Sequence, residues 1–201
     1  MTRNGDAAVD GRVRRGERNR DAIVDALLEL LAEGVPKPPV REIAARAGVS
    51  VRSVFQHFDD LETLYSALVD RQLGRVRELA TPIDAGVPFA ARLDRYVLTR
   101  SDIYEHVTPV RRATLLAAAA SPTLQRGLAD AARDHARDVT AVFKPELAAF
   151  DHPGDTRAAL IVATAWETWD GLRRTQRVSV TAARRVITSI VSAVLAPPAK
   201  Q

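Results

Sequence analysis

The stretch PVREIAARAGVSVRSVFQHF, residues 39–58, decides the fold. Pro39 suits the first position of a helix, where its missing N–H costs nothing. Val40, Ile43, Ala44 and Ala47 then recur at helical spacing and form a short apolar stripe. Gly48 ends this helix after about two turns. Ser50 follows Val49 and is a good N-cap for the next helix, because its hydroxyl can take an orphan backbone N–H. Val54 and Phe58 lie four residues apart on the inner side of that helix. Two short helices joined by a turn of Gly48, Val49 and Ser50 make a helix-turn-helix unit.

Both flanks read as helix. Upstream, Ile23, Leu27, Leu30 and Leu31 form one stripe and predict a helix from Glu17 to Glu33. Gly34 supplies its stop, and Pro36, Pro38 and Pro39 prevent continuation. Downstream, Asp59 or Asp60 caps a fourth helix reaching about Ala80, with Leu61, Leu64, Leu68 and Leu73 inside. Pro82, Gly86 and Pro88 mark a boundary. Beyond it the periodicity predicts helices near 88–106, 109–120, 122–150, 155–176 and 180–195, punctuated by Pro109, Pro122, Pro145 and Pro153. Pro145 should kink or split its helix. No alternating stretch of strand length and no internal repeat occurs. The class expected is all-α: a flexible basic arm (1–16), a helix-turn-helix domain (17–60), a connecting helix (61–81) and a larger helical body (82–201).

Composition narrows the function. Hydrophobic residues are 46% of the 201, enough for a sizeable core. Cysteine is absent, which excludes disulfides and thiolate metal sites. His57, His106, His135 and His152 are scattered without ligand spacing, so no metal and no cofactor are expected. Phosphate-binding, dinucleotide and nucleophile-elbow motifs are missing, and nothing argues for an enzyme. Apolar runs such as Leu115 to Ala120 are far shorter than the ~20 residues a membrane helix needs. With no secretory signal in view, a soluble cytoplasmic protein is expected. The 29 basic and 25 acidic residues leave +4, too mild an excess to indicate nucleic acid. Its distribution says more. From Ile43 to Phe58 there are two arginines, Arg46 and Arg52, and no carboxylate. That is either a surface facing phosphates or a short solvated patch.

From Gly34 to Leu68 the sequence resembles the tetracycline-repressor (TetR) family of bacterial regulators. The matching text is Val40-Arg41-Glu42-Ile43-Ala44, Ala47-Gly48-Val49-Ser50, Val54-Phe55-Gln56-His57-Phe58 and Leu64, in order and without gaps. The resemblance covers about residues 17–75. It implies three N-terminal helices, a connecting fourth, and a C-terminal ligand and dimerisation body. It also implies a mechanism in which a small molecule changes the spacing of two recognition helices. Three positions depart from the family's usual pattern: Pro39 stands for a Thr, Phe55 for a Tyr and Leu61 for a Lys. Each departure removes a phosphate contact, which Arg41, Arg52 and His57 can replace.

On the third helix, Val51, Arg52, Ser53, Gln56 and His57 fall outside the inner stripe. Arg reads guanine O6 and N7 by a bidentate bond and Gln reads adenine N6 and N7, which places Arg52 and Gln56 at base edges. Ser53 reaches a base or a phosphate, and His57 a phosphate. Phe55 is half-exposed by spacing, either packed in the core or set against a thymine methyl or sugar. Arg14 and Arg15, with Arg12 and Arg18, lie in a minor groove or along phosphates, or are simply solvated. In the body, Tyr96, Arg100, Tyr104, His135, Thr164 and Trp166 are polar or aromatic groups amid apolar sequence, candidates for a small-molecule effector pocket. Trp169, Val186, Ile187, Ile190, Val191 and Val194 are candidates for a homodimer seam, the alternative being burial within one subunit. The reading is a ligand-responsive regulator, a repressor, bound as a homodimer to palindromic double-stranded DNA. The competing reading is a helical sensor or enzyme-like body whose helix-turn-helix no longer binds DNA.

Overall fold

The computed structural model describes residues 4–35 and 37–196, and side chains from residue 14 onward. Its described elements are helical: α1 (Asn4–Ala32), α2 (Val40–Arg46), α3 (Val51–His57), α4 (Leu61–Leu79), α5 (Phe89–Ala118), α6 (Pro122–Val142), α7 (Lys144–Leu147), α8 (Pro153–Ala163), α9 (Trp166–Asp170), a π-helical turn (Gly171–Thr175) and α10 (Val180–Val194). Two compact units result, Met1–Gln72 with Pro109–Leu128, and Leu73–Thr108 with Ala129–Gln201. The division therefore falls inside α4, α5 and α6 rather than at one point in the sequence.

In the first unit α1, α2 and α3 pack on one another. Ile23, Leu27, Leu31, Ile43, Val54, Phe58, Leu64 and Leu68 form its core, together with Leu124 from α6. Gly48 stands at φ +67, the left-handed conformation that closes α2 without a Cβ clash. The Ser50 hydroxyl accepts the Ser53 N–H at 3.1 Å, as its N-cap role requires. At the next entry Asp60, not Asp59, caps α4: its Oδ1 accepts from the Thr63 N–H at 2.7 Å and from the Thr63 hydroxyl at 2.8 Å.

The second unit builds its core from Leu93, Tyr96, Val97, Ile103, Val139, Phe143, Leu160, Trp169, Ile187 and Val191. Pro145 does split its helix: α6 ends at Val142 and α7 starts at Lys144.

Three expectations need correction. First, residues 1–3 of the expected arm lie outside the described residues, but from Asn4 the backbone is already helical and continuous with α1. Residues 7–15 carry Ala7, Ala8, Arg12, Arg14 and Arg15, good helix formers, and no proline precedes Pro36. Second, residues 88–106 and 109–120 are one helix, with Pro109 inside it. Proline removes a single ladder bond, and the Thr108 hydroxyl donates to the Tyr104 carbonyl at 2.5 Å beside it. Burial of Tyr104, Val110 and Ala113 on the same helix outweighs that loss. Third, residues 155–176 are not one helix. Ala165 is extended (φ −68, ψ 157), and the chain restarts as α9. No glycine or proline signals this break; hydrogen bonds to Thr164, described below, hold it.

Candidate nucleic-acid interface and interior cavity

The second helix of the helix-turn-helix is α3. Ser50 fixes its start, and Val54 and Phe58 anchor its inner side, 2% exposed each. The opposite side is thereby turned to solvent. Val51 is 42% and Phe55 51% exposed, and Arg52 and Gln56 are exposed as well. Phe55 is therefore not a core residue. Ser53 and His57 are half-buried at the edges of this face. Arg41 on α2 and Arg14 and Arg15 on α1 are exposed too.

The two arginines of the acid-free stretch have different fates. Arg46 Nη1 reaches Glu33 at 2.7 Å and Glu29 at 3.3 Å, tying α2 to α1. The hydrogen bond with Arg46 holds the Glu33 carboxyl below the usual carboxylate range. The bonds to Glu33 and then Glu29 push the guanidinium up, so Arg46 stays charged and engaged. Arg52 forms no ion pair among the described residues. Arg46 thus braces the scaffold and Arg52 is available to a partner, a distinction that charge counting along the chain does not make. Further bracing comes from Arg20, whose guanidinium lies 4.6 Å from the Phe58 ring centroid. Arg71 on α4 adds another brace, bonding Asp25 at 2.8 Å and also Asp21.

Inside the second unit, α5, α6 and the break after α8 converge on Thr164. The Tyr104 hydroxyl donates to the Thr164 carbonyl at 2.8 Å, and the Tyr96 hydroxyl to Thr164 Oγ1 at 3.3 Å. Thr164 Oγ1 donates to the Leu160 carbonyl at 2.8 Å. Its one hydrogen is then committed, so His135 Nε2, 2.9 Å from the same oxygen, must bring its own. Burial raises the Tyr96 phenol above its ordinary value, keeping it a neutral donor. Beside this hub lies a small cavity, with about 10 Å³ of space for the centre of a water-sized molecule. Tyr96, Arg100, Tyr104, Thr164, Trp169 and Ile187 line it, with Val97, Ser101 and Ala165.

Four of the six residues expected around an effector line this cavity, namely Tyr96, Arg100, Tyr104 and Thr164. His135 is outside the lining and reaches it only through Thr164. Trp166 does not line the cavity either; its indole N–H donates to the Thr108 hydroxyl at 2.9 Å. Trp169, a candidate for the seam between subunits, instead lines the cavity and donates to Glu105 at 2.9 Å. Ile187 and Val191 are likewise buried within the single chain, because α10 turns them toward Leu160 and Trp169 in the unit's own core. Val186, Ile190 and Val194 keep exposed or half-buried surface. Val162 on α8, 68% exposed, is an apolar residue that sequence periodicity did not single out.

Residues 23–68 match the model of the bacterial regulatory proteins of the tetR family. That part of the chain is similar to the N-terminal domain of the TetR family. An uncharacterized HTH-type transcriptional regulator, TtgW of Pseudomonas putida, is 41% identical over 58 residues. That match covers 28% of this chain and 43% of the relative, so the chain spans less than half of it. Two solved structures share the fold over most of the chain. A TetR-family transcriptional regulator from Rhodococcus sp. aligns with TM-score 0.66 and 20% identity over 90% of this chain and all (100%) of that one. A transcriptional regulator from Rhodococcus sp. Rha1 aligns with TM-score 0.61 and 22% identity, over 90% and 95%. Among the described residues no helix is long and apolar enough to cross a membrane, and no group of three potential ligands is placed to hold a metal ion.

Proposed function

We propose that the protein is a DNA-binding transcriptional regulator, a repressor, that binds a palindromic operator as a homodimer and is released by a small-molecule effector. The observation that carries the DNA-binding reading is the face of α3. It is exposed, free of carboxylates, and offers Arg52 and Gln56 for base edges, with Val51 and Phe55 for thymine methyls or sugars. In this reading Arg41, His57, Arg14 and Arg15 supply the phosphate donors. A reader of seven residues covers only a few base pairs. Two-fold symmetry doubles the contact without new chemistry.

The dimer reading draws support from α8 and α10, which pack on each other. Their uncovered apolar residues are Val162 on one, and Val186, Ile190 and Val194 on the other. A second copy of the chain meets this surface with the same surface, as a four-helix bundle. The effector reading draws support from the buried polar hub around Thr164 and the cavity beside it. The test of the whole is selection of bound fragments from a random DNA library. A near-perfect inverted repeat is expected. Unrelated single sites, or no enrichment, overturn the reading.

A further inference from the structure

We propose that the cavity beside Thr164 takes a small aryl carboxylate, and that the ligand's carboxylate displaces Asp138 from the guanidinium of Arg100. The inference rests on the sensor reading above and assigns the chemistry of its ligand. It starts from an inventory of donors. Four hydroxyls line the cavity and each has its hydrogen committed. Tyr96 and Tyr104 donate to Thr164, Thr164 donates to the Leu160 carbonyl, and Ser101 donates to the Leu98 carbonyl at 2.7 Å. The Ser101 oxygen in addition accepts from Arg184 Nε at 2.6 Å. The wall thus has one lining group with donors to spare, Arg100. A guanidinium carries five N–H donors; Asp138 engages it through Nη2 at 2.6 Å and the Tyr96 hydroxyl accepts from it as well, so donors remain.

Charge and burial point the same way. The Arg100 side chain is 12% exposed, whereas its partner Asp138 is 56% exposed. The cation belongs to the interior and the anion to solvent, so replacing Asp138 returns a carboxylate to water at little cost. No carboxylate lines the cavity. A cationic ligand meets Arg100 without compensation. A neutral ligand gains only ordinary hydrogen bonds, while a carboxylate gains charge-assisted, bidentate ones. The rest of the wall suits a ring: Tyr96, Tyr104 and Trp169 contribute aromatic surface, with Val97 and Ile187 beside them. As it stands the cavity admits one water-sized group, so entry of a ring requires a wall to move. The wall with interrupted helix bonding is the segment from Thr164 through α9 to the π-helical turn at Gly171–Thr175, and it carries Trp169.

The test titrates the full chain with benzoate, benzamide and benzylammonium, by calorimetry and tryptophan emission. Benzoate should bind saturably and roughly tenfold or more tighter than the other two. Arg100→Gln should lose this preference. Asp138→Asn should tighten benzoate severalfold, because it removes the internal competitor; if the pair merely held the fold, both variants would weaken binding. Should Arg100→Gln fail to fold, the exposed Asp138 variant and the three probes decide. Equal binding of benzamide, an unchanged Arg100→Gln, a weaker Asp138→Asn or no benzoate binding each overturns the proposal. Operator binding is measured in parallel without benzoate. Intact DNA binding beside absent benzoate binding removes the ligand assignment alone, and absent DNA binding removes the regulator reading.

Discussion

The first unit keeps the polar groups of its site in water, around an apolar core; the second keeps them inside. On α3, Arg52 and Gln56 stand in solvent and none of the core contacts depends on them. Around Thr164, Tyr96, Tyr104 and His135 are themselves buried and hold one another in place. An exposed site can change its side chains at little cost to folding, whereas an interior one contributes to stability and to any binding at once. The two regions should therefore answer mutation differently.

The largest effect is expected where apolar surface is to be covered by a second copy. Ile190→Asp places a carboxylate in the proposed seam, a change costing several kcal/mol if the group stays buried and unpaired. Sedimentation should report a monomer or loss of folded protein; a dimer of normal stability would put the seam elsewhere. Next comes the interior hub. Thr164→Val removes the acceptor of the Tyr96 hydroxyl and of His135 Nε2. Each orphaned buried donor costs about 1–3 kcal/mol, so urea unfolding should reveal a clear destabilisation. A loss below about 0.5 kcal/mol, the range of an ordinary surface change, would erase the contrast between the two regions.

Arg52→Ala sharpens the same contrast from the other side. It should cost ~1–3 kcal/mol of operator affinity and relax preference at one base pair per half-site. Its unfolding midpoint should not move. Equal weakening on all sequences would make Arg52 a phosphate contact. Removing Arg14 and Arg15 should do just that, weakening all DNA alike and making the salt dependence shallower.

The smallest effect concerns acid. Glu62 on α4 accepts the Thr123 N–H at 3.1 Å. Its carboxyl is held below its ordinary 4.5, chiefly by hydrogen bonding to Thr123. A carboxyl depressed in the folded state contributes stability above its unfolded pKa, and that stability is lost as pH falls through the folded value. Glu62→Gln should therefore lower stability slightly at neutral pH and flatten the acid limb below 4.5. An acid limb identical to the parent's would leave Thr123 without influence on this carboxyl.

The sequence by itself determined the helix-turn-helix. Its helices are short, their caps are local, and the apolar residues at Ile43, Val54 and Phe58 must face inward whatever lies beyond them. Gly48 and Ser50 act through their own backbone neighbourhood, so the turn is legible without the rest of the chain. Only the tertiary structure decided the remainder, because there the outcome depends on partners distant in sequence. Pro109 carries the signal to end a helix and does not end it, since burial along α5 outweighs one missing bond. Ala165 carries no breaking signal, yet the helix parts there, where Tyr104 from α5 bonds the Thr164 carbonyl. Arg46 and Arg52 look alike in the chain and are separated by Glu29 and Glu33, far upstream, which engage one and leave the other exposed. On α10 an unbroken apolar stripe hides two different roles. Ile187 and Val191 are buried in the cluster that holds Leu160 and Trp169, while Val186, Ile190 and Val194 keep exposed or half-buried surface.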